Sequence, residues 1–122
     1  MVGLLLLSAI VLVGCGRGGG GRPANMDERT YNIGMEALGV VDDFLDGRMS
    51  AANAGDKIEE LRNRLNETEP DDSNERLAHG GLSADFLNAR LQLRNIASRG
   101  ESTTRLLETR NRLARRLNQS ER

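Results

Sequence analysis

Beyond residue 25, apolar side chains recur at steps of three and four along almost the whole chain, and no stretch alternates as a half-buried strand does. That periodicity restricts the fold to helices that each bury one face. The first segment runs from about Met26 to Asp46, with Asn25 placed to cap it and Asp27 and Glu28 at the positive end of its dipole. Its stripe is Tyr31, Met35, Leu38, Val41 and Leu45, and Gly47 is a suitable stop. Gly34 and Gly39 each cost about 1 kcal/mol relative to alanine inside a helix, which is tolerable where two helices approach closely.

Ser50 caps a second helix reaching about Asn66, with Ala54, Ile58, Leu61 and Leu65 inward and Glu60 and Arg64 paired across a turn on the wet face. The polar run from Glu67 to Glu75 contains Pro70 and reads as a loop. A third helix carries Leu82, Phe86, Ala89, Leu93 and Ile96; Gly80-Gly81 is a place where an early turn around Leu77 separates from its main body, and Gly100 ends it. Ser102 caps a fourth, with Leu106, Leu107, Leu113, Ala114 and Leu117 inward. Short connections between such helices predict antiparallel neighbours: an all-α, up-down bundle of three to four helices over residues 26–120. No stripe has the length or the a/d regularity that demands a coiled-coil dimer, so a monomer is expected.

The first 25 residues differ in kind. Val2 to Val13, VGLLLLSAIVLV, is a run of twelve residues without charge, short of the roughly 20 that span a bilayer as a helix but of the length of a signal-peptide core. It closes on Leu12-Val13-Gly14-Cys15. This segment resembles the lipobox of bacterial lipoproteins, in which small residues admit a protease and an invariant cysteine accepts lipid. The resemblance covers about fifteen residues and implies a diacylglyceryl group on the Cys15 thiol, followed by cleavage of the Gly14–Cys15 bond. Residues 1–14 are then a signal peptide, and residues 15–25 a lipidated cysteine with a flexible glycine-rich tether. The family pattern has a basic residue before the apolar run; none is present here, a departure explained if translation starts upstream of Met1. Two acyl chains hold a protein stably on a membrane, at about 0.8 kcal/mol per buried methylene, so no spanning helix is required. The residues beyond the tether resemble, in general pattern only, the small helical lipoproteins of unknown function.

Chemistry is sparse. One cysteine excludes an internal disulfide and a cysteine zinc cluster. Gly14 to Gly19 satisfies G-x-G-x-x-G, but the glycines continue to Gly21 and no apolar helix follows, so the dinucleotide reading fails. Asp42, Asp46 and Gly47 match three positions of a calcium loop, yet Phe44 and Asn53 stand where two essential oxygens belong. His79, the single histidine, precedes Gly80-Gly81 and suggests a helix end or turn rather than a catalyst. No metal and no cofactor is expected.

Charge is unevenly spread. Met26 to Glu75 holds fourteen acidic residues against five basic, and Arg76 to Arg122 ten basic against four acidic. Arg105, Arg112 and Arg116 share roughly one face of the last helix, with Arg110 and Arg115 nearby, and form a candidate interaction face, expected to lie against the acidic first two helices. Three aromatic residues give no stacking platform, and nucleic acid is not an expected partner. The expectation for function is a lipid-anchored, extracytoplasmic, non-catalytic interaction or structural module, on the cell membrane or an outer membrane, with the membrane and an unidentified protein as partners. The alternative is a cell-wall-acting enzyme or accessory that uses carboxylates of the first two helices.

Overall fold

The computed structural model describes residues 21–122, and these form four helices with no strand among them. They are α1 (Glu28–Leu45), α2 (Ala51–Asn66), α3 (Ser73–Arg99) and α4 (Thr104–Arg116). Each neighbour is antiparallel to the next. Along α2 and α3, Gly55 approaches Leu93, Glu59 pairs with Arg90 and Leu65 meets His79, so numbers rise on one helix as they fall on the other. Asp85 with Arg112 and Gly81 with Arg116 do the same for α3 and α4; Asp42 with Arg110 and Gly34 with Leu117 close α4 back on α1. The all-α up-down bundle read from the periodicity is the fold.

The ends follow local chemistry, with two departures. Ser50 Oγ accepts from Asn53 N at 3.1 Å, as its position before α2 implies. The cap of α1, however, is Asp27, whose Oδ2 accepts from Thr30 N at 3.3 Å, and not Asn25. Met26 turns inward instead of opening the helix, and is 2% exposed. At α4 the cap position is Thr103 and makes no side-chain cap; Ser102 Oγ instead donates to Thr104 Oγ1 at 3.3 Å. Gly47 and Gly100 follow α1 and α3 with φ of 79° and 65°, the left-handed backbone a side chain disfavours. At the end of α4 the same turn is made by Asn118, φ 58°. Asn118 N donates to Arg115 O and Gln119 N to Ala114 O, the paired bonds of a Schellman motif.

The inward stripes of α2 and α4 match the periodicity closely, except that Leu107 is half-buried. That of α1 is rotated. Leu38 and Val41 are buried, but Tyr31, Met35 and Leu45 are half-buried, and Ile33, Gly34, Ala37 and Val40 complete the covered face. The reason is that α1 packs against both α2 and α4, which requires a wider face than one stripe provides. Gly34 lies at that contact: a Cβ there would stand 2.7 Å from Leu117 Cδ2, whereas one at Gly39 would meet nothing within 4 Å. Only the first of the two glycines therefore marks a close approach. The other correction is α3, a continuous helix of 27 residues through Gly80-Gly81 that begins inside the expected loop, with Asp72 as its cap. Packing of Ala78, His79 and Leu82 on both sides of the glycine pair offsets its low helix propensity.

Candidate functional site

Gly14 and Cys15, the expected cleavage and lipidation positions, lie outside the described residues. The site that can be built is the arginine-rich α4 and the carboxylates it meets.

Asp85 organises one half of it. It sits three residues after Leu82 and one before Phe86 on the inward face of α3, and it is 2% exposed. A carboxylate taken from water at such a place needs charge partners, and two guanidiniums supply them. Arg112 Nε donates to Asp85 Oδ1 at 3.0 Å and Arg116 Nε to Oδ2 at 2.6 Å. Arg112 also reaches the buried Thr109 hydroxyl at 3.4 Å. Gly81, one turn before Asp85, leaves the space in which the Arg116 guanidinium lies; a Cβ there would stand 2.8 Å from its Cζ. Both arginines remain well exposed at their outer edges, with side chains 43% and 39% accessible.

The expected face of Arg105, Arg112 and Arg116 is thus divided. Arg112 and Arg116 are held by Asp85, which belongs to α3 and not to the first two helices, while Arg105 is exposed and has no ion pair among the described residues. The acidic first half is met by other arginines. Arg110, whose side chain is 8% exposed, forks onto Asp42 through Nε–Oδ1 at 2.8 Å and Nη2–Oδ2 at 3.0 Å, and its Nη1 donates to Ser120 O at 2.6 Å. Arg122 adds bonds to Asp42 at 3.1 Å and Asp46 at 2.6 Å, tying the last residues back onto α1. The Arg122 hydrogen bond, with charge from Arg122 and Arg48, holds the Asp46 carboxyl below the usual carboxylate range. At the other end of α1, burial pushes the Asp27 carboxyl up, but hydrogen bonds from Thr30 outweigh it and the net shift is downward.

The carboxylates of α1 and α2 that an enzyme reading requires are mostly engaged in the same way. Glu36 lies on Arg64, Asp43 on Arg48 and Glu59 on Arg90. Asp42 and Asp46, the calcium-loop positions, are bridged by Arg122, and no cluster of three or more metal-ligating side chains occurs among the described residues. The expected Glu60–Arg64 pair is replaced, since Lys57 reaches Glu60 at 3.6 Å and Arg64 crosses to Glu36 at 3.4 Å. His79 is neither a helix end nor a turn. It is buried inside α3, and its Nε2–H donates to Leu65 O at 2.7 Å, satisfying one of the carbonyls that α2 leaves open at its C-terminus. The acceptor is a carbonyl, so Nε2 carries the proton.

Asp85 and Thr109 were not singled out from the sequence, and Arg110 only as a neighbour of the basic face, although a signal was present. Asp85 falls between Leu82 and Ala89 on the inward stripe, and Arg110 between Leu106 and Leu113, so both polar residues occupy core positions that require partners. In comparisons with protein-family models, curated proteins and solved structures, nothing matches this chain.

Proposed function

We propose that this chain is an extracytoplasmic lipoprotein, anchored through lipid on Cys15, that presents its bundle as a non-catalytic interaction or structural module. The observation that carries the reading is the succession in the first 25 residues: a charge-free apolar run, Leu12-Val13-Gly14-Cys15 at its close, then a glycine-rich spacer before the first cap at Asp27. Two acyl chains at Cys15 supply the anchor, and the spacer sets the bundle off from the bilayer. Among the described residues no helix is long and apolar enough to cross a membrane, which is compatible with attachment by lipid. Support for a binding rather than a chemical role comes from the arginines that cover the carboxylates of α1 and α2 and clamp Asp85. Arg105 and the outer edges of Arg112 and Arg116 remain the polar surface offered to a partner.

The test is metabolic labelling with palmitate. Wild-type chain should take up label and run at the mass of a protein cleaved before residue 15; Cys15→Ser should stay uncleaved and unlabelled. Equal labelling of the two proteins removes the anchor from the proposal. Release of cell-wall fragments by the purified chain, abolished by Asp42→Asn or Asp46→Asn, would replace the module with an enzyme.

A further inference from the structure

Helix α3 carries a second apolar stripe that the bundle does not use. Its inward face holds Leu82, Phe86, Ala89 and Leu93. On the opposite side Leu77, Ala84 and Leu91 recur every seven residues, with Gly80 and Leu87 three residues after the first two. Leu77 is 75% and Leu91 44% exposed, Gly80 and Ala84 are exposed, and Leu87 is half-buried. No charged residue interrupts this face between Leu77 and Leu91. A seven-residue repeat of Leu77, Ala84 and Leu91, with Gly80 between the first two, lets a second helix seat its own side chains closely.

The ends of the same helix bear opposite charge. Glu69, Asp71 and Asp72 are exposed at its start, with Arg76 following them along the chain. Arg94 and Arg99 are exposed towards its end. Neither arginine has an ion pair among the described residues, and neither do Glu69 and Asp71. A parallel copy would set like charge on like. An antiparallel copy sets the acidic start of each α3 against the basic end of the other, twice, about a two-fold axis near Ala84. It also opposes the two helix dipoles favourably.

We infer that the outer face of α3 is a self-recognition surface, on which a second copy of this chain docks antiparallel through Leu77, Gly80, Ala84, Leu87 and Leu91. A helix pair about 40 Å long covers less than the roughly 800 Å² per partner of a standard stable interface, so the pair is reversible. Confinement of both copies to one membrane raises its occupancy where the chain is anchored. The face itself does not depend on the anchor. The inward stripes gave no reason to expect a dimer, because this stripe faces away from them.

The experiment is thiol cross-linking of the full-length chain with a short bifunctional maleimide, wild type giving the background from any Cys15 thiol without lipid. Ala84→Cys should yield a dimer well above that of Asn63→Cys, an exposed position on α2. Differently tagged copies bearing Leu77→Cys and Leu91→Cys should link to each other. Leu91→Cys should not link to itself, since those positions lie about 21 Å apart in the antiparallel pair. Adding Leu77→Glu and Leu91→Glu to Ala84→Cys should lower the yield by about tenfold or more, with unchanged helicity. Equal yields from positions 84 and 63, self-linking at 91 as strong as mixed linking, or an adduct with a different protein would each overturn the inference. If Ala84→Cys does not fold, the mixed Leu77→Cys and Leu91→Cys pair carries the test alone.

Discussion

Arg110 and Asp42 form an ion pair whose two members are unequally buried, and that inequality sets the outcome of removing either. Arg110's side chain is 8% exposed and Asp42's 24%. In Asp42→Ala the guanidinium loses both carboxylate bonds and cannot easily regain water, while Ser120 O and Asn111 Oδ1 stay as acceptors. Breaking a buried pair by removing one partner costs about 3–5 kcal/mol, and the retained acceptors and partial exposure of the site bring this to about 2–4 kcal/mol. In Arg110→Met the aliphatic stem is largely replaced, while Asp42 keeps Arg122 at 3.1 Å and some contact with water. The cost should be about 1–2 kcal/mol, and the double variant Asp42→Leu/Arg110→Met should be less destabilised than Asp42→Ala alone. The assay is thermal unfolding of fragment 21–122 followed by circular dichroism. In a domain this small, 1 kcal/mol moves the melting temperature by roughly 4–8 °C, so the single variants are easily distinguished. Equal losses from Asp42→Ala and Arg110→Met, or a loss below about 1 kcal/mol in both, would refute the argument from unequal burial.

Two further outcomes follow from particular residues. Gly39→Ala, with open space around the new methyl, should stabilise α1 by about 0.5–1 kcal/mol, whereas Gly34→Ala, 2.7 Å from Leu117, should destabilise by about 1–3 kcal/mol; thermal melts of the pair check the opposite signs. Asp27 and Asp46 are both held below the ordinary carboxylate value of 3.8, so their contribution is present above that value and lost as pH falls through their lowered folded-state values. Stability should therefore decline on the acid side below about pH 4, and an Asp27→Asn/Asp46→Asn protein should show a shallower acid limb in unfolding curves taken at several pH values.

Helix class, a count of three to four and antiparallel order were legible in the sequence because each depends on local periodicity and short connections. Ala54, Ile58, Leu61 and Leu65 on α2, the Ser50 cap, and the stops at Gly47 and Gly100 are properties of one helix and its ends, and all appear as read. Three kinds of feature were decided only by tertiary packing. The wide buried face of α1 exists because two helices flank it, and the Asp27 cap follows from turning Met26 inward. The continuity of α3 through Gly80-Gly81 depends on contacts that outweigh a local preference for a break. The choice of charge partner is the clearest case. The chain's acidic and basic halves suggest that α4 faces the first two helices, but which arginine meets which carboxylate depends on rotation about the helix axis and on the other helices. Arg110 and Arg122 reach α1, whereas Arg112 and Arg116 turn to Asp85. Coulomb attraction selects among neighbours only after apolar burial has fixed which faces are adjacent, because exposed pairs contribute too little to override the core.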